Sequence, residues 1–264
     1  MNFKFLNNLK AIPVGHCIYC FSDKNLTDEH IVPYALSGSY ILPTSSCVEC
    51  NKITCFFEGK VLNYDYEMRK VRALKGLKSR RKLNVPMFGS FIIVEDGNEK
   101  KVEFPIREGP HFLSFPIFPP PVNLKSIDGY HAGIIINGLV TYLFNQEKFG
   151  KICKENGIKD FAIEQMIFPN EFARMIAKIA YSFAYAEGRI NFRNQKFLDS
   201  LLGKTDDIGR WVGVFPHEYT THPGILHWLT IKDNFELGIL LVEVQLFSES
   251  GTPTYTVVLK TQEN

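Results

Sequence analysis

Residues 17–58 read CIYCFSDKNLTDEHIVPYALSGSYILPTSSCVECNKITCFFE and carry the strongest pattern in the chain. Two Cys-x-x-Cys pairs enclose this segment, Cys17 with Cys20 and Cys47 with Cys50. Such pairs are typical of tetrahedral zinc sites, because each pair places two sulfurs on one ion through a short loop. A four-cysteine site can contribute on the order of 10 kcal/mol to the folding of a small module. The sequence therefore predicts one structural Zn²⁺ ion held by four thiolates.

The composition is that of a globular protein, with 264 residues, 45% hydrophobic, 22% charged and a net charge of +2. No apolar run approaches the roughly 20 residues that span a bilayer, and the start MNFKFLNNLKAIP lacks the features of a signal peptide. We therefore expect a cytoplasmic protein without membrane association. A reducing compartment favours metal binding over disulfides for the paired cysteines, which leaves Cys55 and Cys153 outside the predicted site.

Acidic, imidazole and amide groups lie between and directly after the two cysteine pairs. Asp28, Glu29 and His30 are consecutive, and Asn51 follows the second pair. Phosphodiester hydrolysis needs a base that deprotonates water and a divalent cation that neutralises developing charge. An extended strand would send Glu29 and His30 to opposite faces, and Asn51 offers a neutral oxygen suited to Mg²⁺. In a helix Asn51 and Glu58 would lie on one face.

At these residues the chain resembles the HNH endonucleases of the ββα-metal, or His-Me finger, superfamily, in particular the subgroup with two zinc-binding CxxC knuckles. The matching pieces are CIYC, DEHIVPYALSG, CVECN and FFEGKVL, within roughly residues 15–64. The resemblance implies that His30 is the general base and that Glu29 and Asn51 hold a catalytic Mg²⁺ or Mn²⁺. Asp28 remains an alternative ligand or an orienting partner of His30, and Glu58 is a further candidate ligand.

Two positions depart from the family pattern. Many members carry a histidine one helical turn after the Asn51 position, where this chain has Cys55. We expect Cys55 to be a small buried residue rather than a ligand. The family's asparagine before the second knuckle has no counterpart in ILPTSSC, so the bracing of the hairpin is left open.

A basic run follows the cysteine-bounded segment at residues 68–82 and contains no acidic residue. Neutralising DNA phosphates releases counterions and gives affinity without sequence reading. We therefore expect this run to hold DNA, the alternative being a solvated helix face. The predicted DNA-binding residues are Arg69, Lys70, Arg72, Lys75, Lys78, Arg80, Arg81 and Lys82.

Local patterns also predict the main elements. Residues 26–32 and the segment before the second knuckle suit a hairpin, and a helix is expected over residues 48–63, followed by a second helical piece. Further on, Asp96-Gly97 and Asn137-Gly138 each predict a hairpin turn between β-rich arms. A 3.6-residue apolar period predicts a helix after Pro169 that stops at Gly188. The last forty residues predict an antiparallel meander.

These patterns predict an α+β protein with a zinc-bound ββα-metal nuclease module at residues 1–64. A basic helical connector would occupy residues 65–84, and residues 85–264 would form an α+β domain with a mostly antiparallel sheet. That domain's role in target binding, regulation or oligomerisation is left open, and its partners could include a second copy or a regulatory protein. The expected function is DNA cleavage by an HNH endonuclease, with restriction or antiphage defence as a setting by family analogy. The alternatives are a non-catalytic zinc module that binds nucleic acid or protein, and an HNH nuclease acting on RNA.

Overall fold

The computed structural model describes residues 11–77, 87–95, 98–124, 133–158, 166–190, 192–215, 219–234 and 238–260. Within these ranges the fold is α+β, as predicted, and all strand pairs are antiparallel. No helix in the described part of the chain is both long enough and apolar enough to cross a membrane.

The cysteine-bounded segment folds as two strands followed by a helix. Strand β1 (Leu26–His30) pairs with β2 (Ile41–Cys47), and helix α1 (Val48–Gly59) follows β2 without a loop. The connection turns back tightly at Gly38, where a Cβ would lie 1.8 Å from the carbonyl oxygen of Val32. Only glycine fits such a close backbone approach. The predicted hairpin and helix are therefore confirmed.

The helical region continues into the basic run. Helix α1 passes into a π-helical turn (Lys60–Tyr64), after which α2 (Tyr66–Leu74) begins at Asp65. The Asp65 carboxylate caps α2 because its Oδ1 accepts hydrogen bonds from two backbone N–H groups, at 2.9 and 3.1 Å. The helical piece ends at Gly76, whose φ of +64° is a left-handed conformation that glycine adopts readily after a helix. The predicted second helical piece is confirmed as far as Leu74.

Two strand pairs follow. Strands β3 (Phe88–Glu95) and β4 (Asn98–Pro105) form the hairpin predicted at residues 96–97, which themselves lie outside the described ranges. Strand β5 (His111–Ile117) pairs with β6 (Gly138–Phe144) in a register that joins Ile117 to Gly138. The predicted Asn137-Gly138 hairpin is wrong, because residues 134–137 form no strand and β6 takes its partner from β5.

The last four strands form one sheet. Its order is β7 (Val212–Val214), β10 (Tyr255–Lys260), β9 (Ile239–Leu246) and β8 (His227–Asn234). The predicted meander is confirmed, with the short strand β7 added at its edge.

Helix α4 (Pro169–Ala186) is the central helix of the structure. It begins with proline in its first turn and is followed by Gly188 at a φ of +67°, as predicted. It packs against α1 on one side and against β9 and β10 on the other. Helices α3 (Gln146–Glu155) and α5 (Gln195–Leu201) were not expected from the sequence.

Buried side chains from the cysteine-bounded segment and from the later elements form one continuous core. Cys17 and Leu259 belong to the same cluster, and α4 contributes buried residues along most of its length. The division of the chain into units at residues 64 and 84 stays a prediction. The shared core brings α4 into contact with α1 of the cysteine-bounded segment.

Candidate functional site

The four predicted zinc ligands lie together. Their sulfur atoms are all within 4.8 Å of one another, and the Sγ atoms of Cys20 and Cys47 are 3.5 Å apart. A tetrahedral ion with Zn–S bonds of about 2.3 Å requires sulfurs about 3.8 Å apart. Cys17, Cys47 and Cys50 are buried and Cys20 is exposed, so the cluster lies at the edge of the core. The arrangement is compatible with a structural zinc ion.

Backbone hydrogen bonds shape both knuckles. In the first, the Phe21 N–H donates to the Cys17 carbonyl at 2.8 Å, and Phe21 adopts a φ of +66°. The Ile18 N–H donates to the Ser45 carbonyl at 2.8 Å and so joins the first knuckle to β2. The Cys47 sulfur caps α1 by accepting from the Cys50 N–H at 3.5 Å. The second knuckle is thus built into the start of the helix.

The thiols already interact strongly with one another. A hydrogen bond from the Cys50 thiol lowers the pKa of Cys17, while the same bond, aided by burial, raises the pKa of Cys50. Bound zinc would favour the thiolate form of all four cysteines, because a coordinating thiol is deprotonated. These contacts fit a donor set for one soft cation.

Three of the predicted catalytic residues lie on β1, and they differ in burial. Glu29 is buried, whereas Asp28 is exposed and His30 is partly exposed. The Asp28 carboxylate accepts a hydrogen bond from the Thr44 N–H at 3.1 Å. The His30 ring meets the Tyr34 ring edge-on, with centroids 5.4 Å apart. Glu29 therefore faces the core, whereas His30 is only partly covered, with its Nδ1 buried.

Asn51 lies in the first turn of α1, directly after the second knuckle. Its side-chain Oδ1 accepts a hydrogen bond from the Cys55 thiol at 3.4 Å. Cys55 is exposed, so the expectation that it is a small buried residue is wrong. The reason is the helix register, which places Cys55 on the outer face of α1 while Thr54 and Phe57 face the core.

Lys178 was not identified from the sequence, yet it contacts two of the predicted ligands. It lies in α4 with 1% of its side chain exposed, and its Nζ is 2.6 Å from Glu29 Oε1 and 3.0 Å from Glu58 Oε1. Its ammonium also donates hydrogen bonds to the backbone carbonyls of His30 and Ile31. A lysine within the apolar run ARMIAKIAYSFA was the available sequence signal.

These contacts set the electrostatics of the buried side of β1. Burial opposes the charged form of Lys178, but the charges of Glu29 and Glu58 outweigh it and raise the lysine pKa. Burial raises the pKa of Glu58, and Lys178 partly offsets that rise. The structure thus brings Glu29 and Glu58 together through an ammonium group. Their predicted role as ligands of a divalent cation, with Asn51, stays a prediction.

The basic run does not form one exposed face. Arg72 is fully buried, and its guanidinium donates to the carbonyls of Ala35 at 2.8 Å and Leu62 at 2.6 Å. Lys70 is also buried and pairs with Glu67 at 2.5 Å. The expectation that Lys70 and Arg72 contact DNA is corrected, because both cations are used inside the fold.

The other basic residues of the run differ in their exposure and in their contacts. Arg69 is partly exposed, and Lys75 is exposed and paired with Glu249. The remaining four positions lie outside the described residues, so their contact with DNA stays a prediction. They are Lys78, Arg80, Arg81 and Lys82.

Comparison with known proteins adds no assignment. No family model matches the chain, and no curated protein or solved structure matches it. The resemblance to HNH endonucleases therefore stays an expectation from the sequence motifs of residues 15–64. The structure establishes a four-cysteine cluster compatible with zinc and, separately, a buried contact of Lys178 with Glu29 and Glu58. His30 pairs with Ile41, at the other end of the hairpin from Cys47.

Proposed function

We propose that this chain is a metal-dependent endonuclease of the HNH type that hydrolyses phosphodiester bonds in DNA. The observation that carries the proposal is the order of β1, β2 and α1, with zinc-site cysteines at the first knuckle and at the β2–α1 junction. His30 ends β1, and Asn51 lies in the first turn of α1. This is the arrangement expected for the ββα-metal resemblance.

In this proposal His30 acts as the general base that takes a proton from the attacking water. His30 is partly exposed, although its Nδ1 is buried, so Nε2 would be the nitrogen that takes the proton. The amide oxygen of Asn51 would help to hold the Mg²⁺ or Mn²⁺ ion. When bound, that ion neutralises charge on the scissile phosphate and on the departing 3′ oxygen. The cysteine-bound zinc would have a structural role only.

Two carboxylates compete for the role of acidic ligand. Glu29 has its Oε1 paired with the Lys178 ammonium, and its Oε2, which would have to hold the divalent cation, is buried. Asp28 is exposed on the same strand, and its Oδ1 is held by the Thr44 N–H. The proposal keeps Glu29 and Asn51 as ligands, with Asp28 as the alternative. Comparing the Mg²⁺ dependence of Glu29→Gln and Asp28→Asn would separate the two.

A second candidate function is a non-catalytic zinc module that binds nucleic acid or a protein partner. The observation that favours it is the Lys178 ammonium between Glu29 and Glu58. Buried carboxylates that are already paired with a cation have less need of a divalent ion. An RNA substrate would require the same residues as DNA, so the substrate has to be decided by assay.

The test is cleavage of supercoiled plasmid DNA, and of RNA in parallel, with Mg²⁺ or Mn²⁺. We expect His30→Ala to lose about 10²- to 10⁴-fold in rate, the usual contribution of a positioned base. His222→Ala serves as the matched control, because His222 stacks on Trp228 in another part of the structure. Equal cleavage by wild type and His30→Ala, or no cleavage of either substrate by wild type, would favour the binding module.

A further inference from the structure

Lys178 makes its polar contacts at the point where β1 ends. Its ammonium has three N–H donors, and four oxygens surround it: one from each of two carboxylates and one from each of two backbone carbonyls. The carbonyls belong to His30 and Ile31, so the lysine holds the two consecutive peptide groups that follow the His30 Cα. The carboxylate of Glu29 fixes the residue on the other side of His30.

A buried lysine at this position costs free energy, because its ammonium loses contact with water. The neighbouring buried positions of α4 include Ala177 and Ile179, which are fully buried and apolar. Replacing buried ion pairs by well-packed apolar residues is often neutral or stabilising, so stability alone does not account for an ammonium here. What an apolar residue could not do is donate hydrogen bonds to the carbonyls of His30 and Ile31.

We infer that Lys178 is the positioning residue of His30, because it holds the backbone that carries the proposed base. The role of His30 in this inference rests on the proposed function, whereas the mechanical link between Lys178 and His30 does not. The lysine reaches β1 from α4, which is anchored between α1 and the four-stranded sheet. The orientation of the imidazole therefore depends on a helix remote in sequence from the strand that carries it.

The magnitude of the effect follows from the tolerance of catalytic geometry. A displacement of about 1 Å in a reacting group can cost about 10²-fold in rate. Lys178→Met keeps a side chain of similar length but removes every hydrogen bond to the carbonyls. It also leaves two buried carboxylates without their cation, so Lys178→Met/Glu58→Gln provides a second variant with one charge fewer. Glu58→Gln alone shows the effect of the neutralised carboxylate.

The first readout is the ¹H–¹³C spectrum of the histidine rings, of which the chain has seven. His30→Gln identifies the His30 signal. In the folded Lys178 variants we expect the His30 signal to move or broaden, while those of the buried His111 and His227 keep their positions. Ile179→Ala, which truncates a buried apolar residue one position along α4, is the matched control and should leave the His30 signal in place.

The second readout is kinetic. We expect the folded Lys178 variants to lose about 10²-fold in kcat with KM nearly unchanged, while Ile179→Ala retains its kcat at temperatures where it is folded. An unmoved His30 signal in a folded Lys178 variant, or the same change in Ile179→Ala, would overturn the inference. If wild type cleaves neither DNA nor RNA, the proposed function fails, but the ring spectrum still decides whether Lys178 positions His30.

Discussion

His227 should make the stability of the protein fall in mild acid. This histidine is buried, its Nε2–H donates to the Leu36 carbonyl at 2.9 Å, and its Nδ1 accepts from the Phe247 N–H at 3.2 Å. The neutral ring therefore satisfies both neighbours, whereas a proton on Nδ1 would abolish the second bond. Burial lowers the pKa of His227 to about 4, compared with about 6.5 in an unfolded chain.

The sign of the effect follows from proton binding. Below a pH of about 6.5 the unfolded chain takes up a proton that folded His227 refuses until the pH nears 4, so stability is present above this window and is lost within it. At about 1.4 kcal/mol per pKa unit, the loss is on the order of 3 kcal/mol. His111, whose pKa is also lowered to about 4 by burial and by Lys70, adds a similar contribution.

The assay is urea denaturation from pH 7.5 to 4.5 for wild type and His227→Gln. Glutamine offers a donor and an acceptor but does not titrate, so we expect the variant to be less stable at pH 7.5 and the gap to narrow as the pH falls. Protonation of the zinc cysteines and of His111 affects both proteins alike, and the difference between the two curves therefore isolates His227. Parallel pH dependences would refute the reasoning.

Three further outcomes can be checked directly. Purified protein should contain one zinc per chain by elemental analysis, and Cys47→Ser should lose it together with much of its thermal stability; a variant that keeps both would argue against the site. Arg72→Leu should cost about 2–5 kcal/mol in unfolding free energy, since buried carbonyls lose their donors, whereas the exposed Lys75→Ala should cost less than about 1 kcal/mol; similar losses in denaturant titrations would contradict the structural role of Arg72. A further variant replaces four basic residues of the run by alanine, and it should bind unrelated DNA sequences more weakly than wild type. The slope of log affinity against log salt should become shallower by about 0.9 per lost phosphate contact, and identical slopes would exclude the replaced residues from DNA binding. The replaced residues are Lys78, Arg80, Arg81 and Lys82.

Local sequence determined the parts of this protein that depend on neighbouring residues. The two Cys-x-x-Cys pairs predicted the sulfur cluster because each knuckle is a short turn. A two-residue turn predicted the hairpin of β3 and β4, and apolar periodicity with flanking proline and glycine predicted α4. The alternation of β1 was also available from sequence, since an extended strand had to place Glu29 and His30 on opposite faces.

Only the tertiary structure decided which groups face each other. The β-rich arms around Asn137-Gly138 suited a local hairpin equally well, but β6 pairs with β5, whose register no local signal specifies. A cationic sequence cannot show which side chains turn inward, and Arg72 is buried because the fold brings two main-chain carbonyls to it.

Lys178 shows the same limit at the candidate site. Its partners Glu29 and Glu58 are remote from it in sequence, and they meet because α4 packs against α1 and its Lys178 side chain reaches β1. The two carboxylates suit a divalent cation when considered by sequence, but the fold supplies an ammonium from a distant helix. Charge pairing of buried groups depends on three-dimensional proximity, because Coulomb energy falls with distance in space and does not depend on separation along the chain.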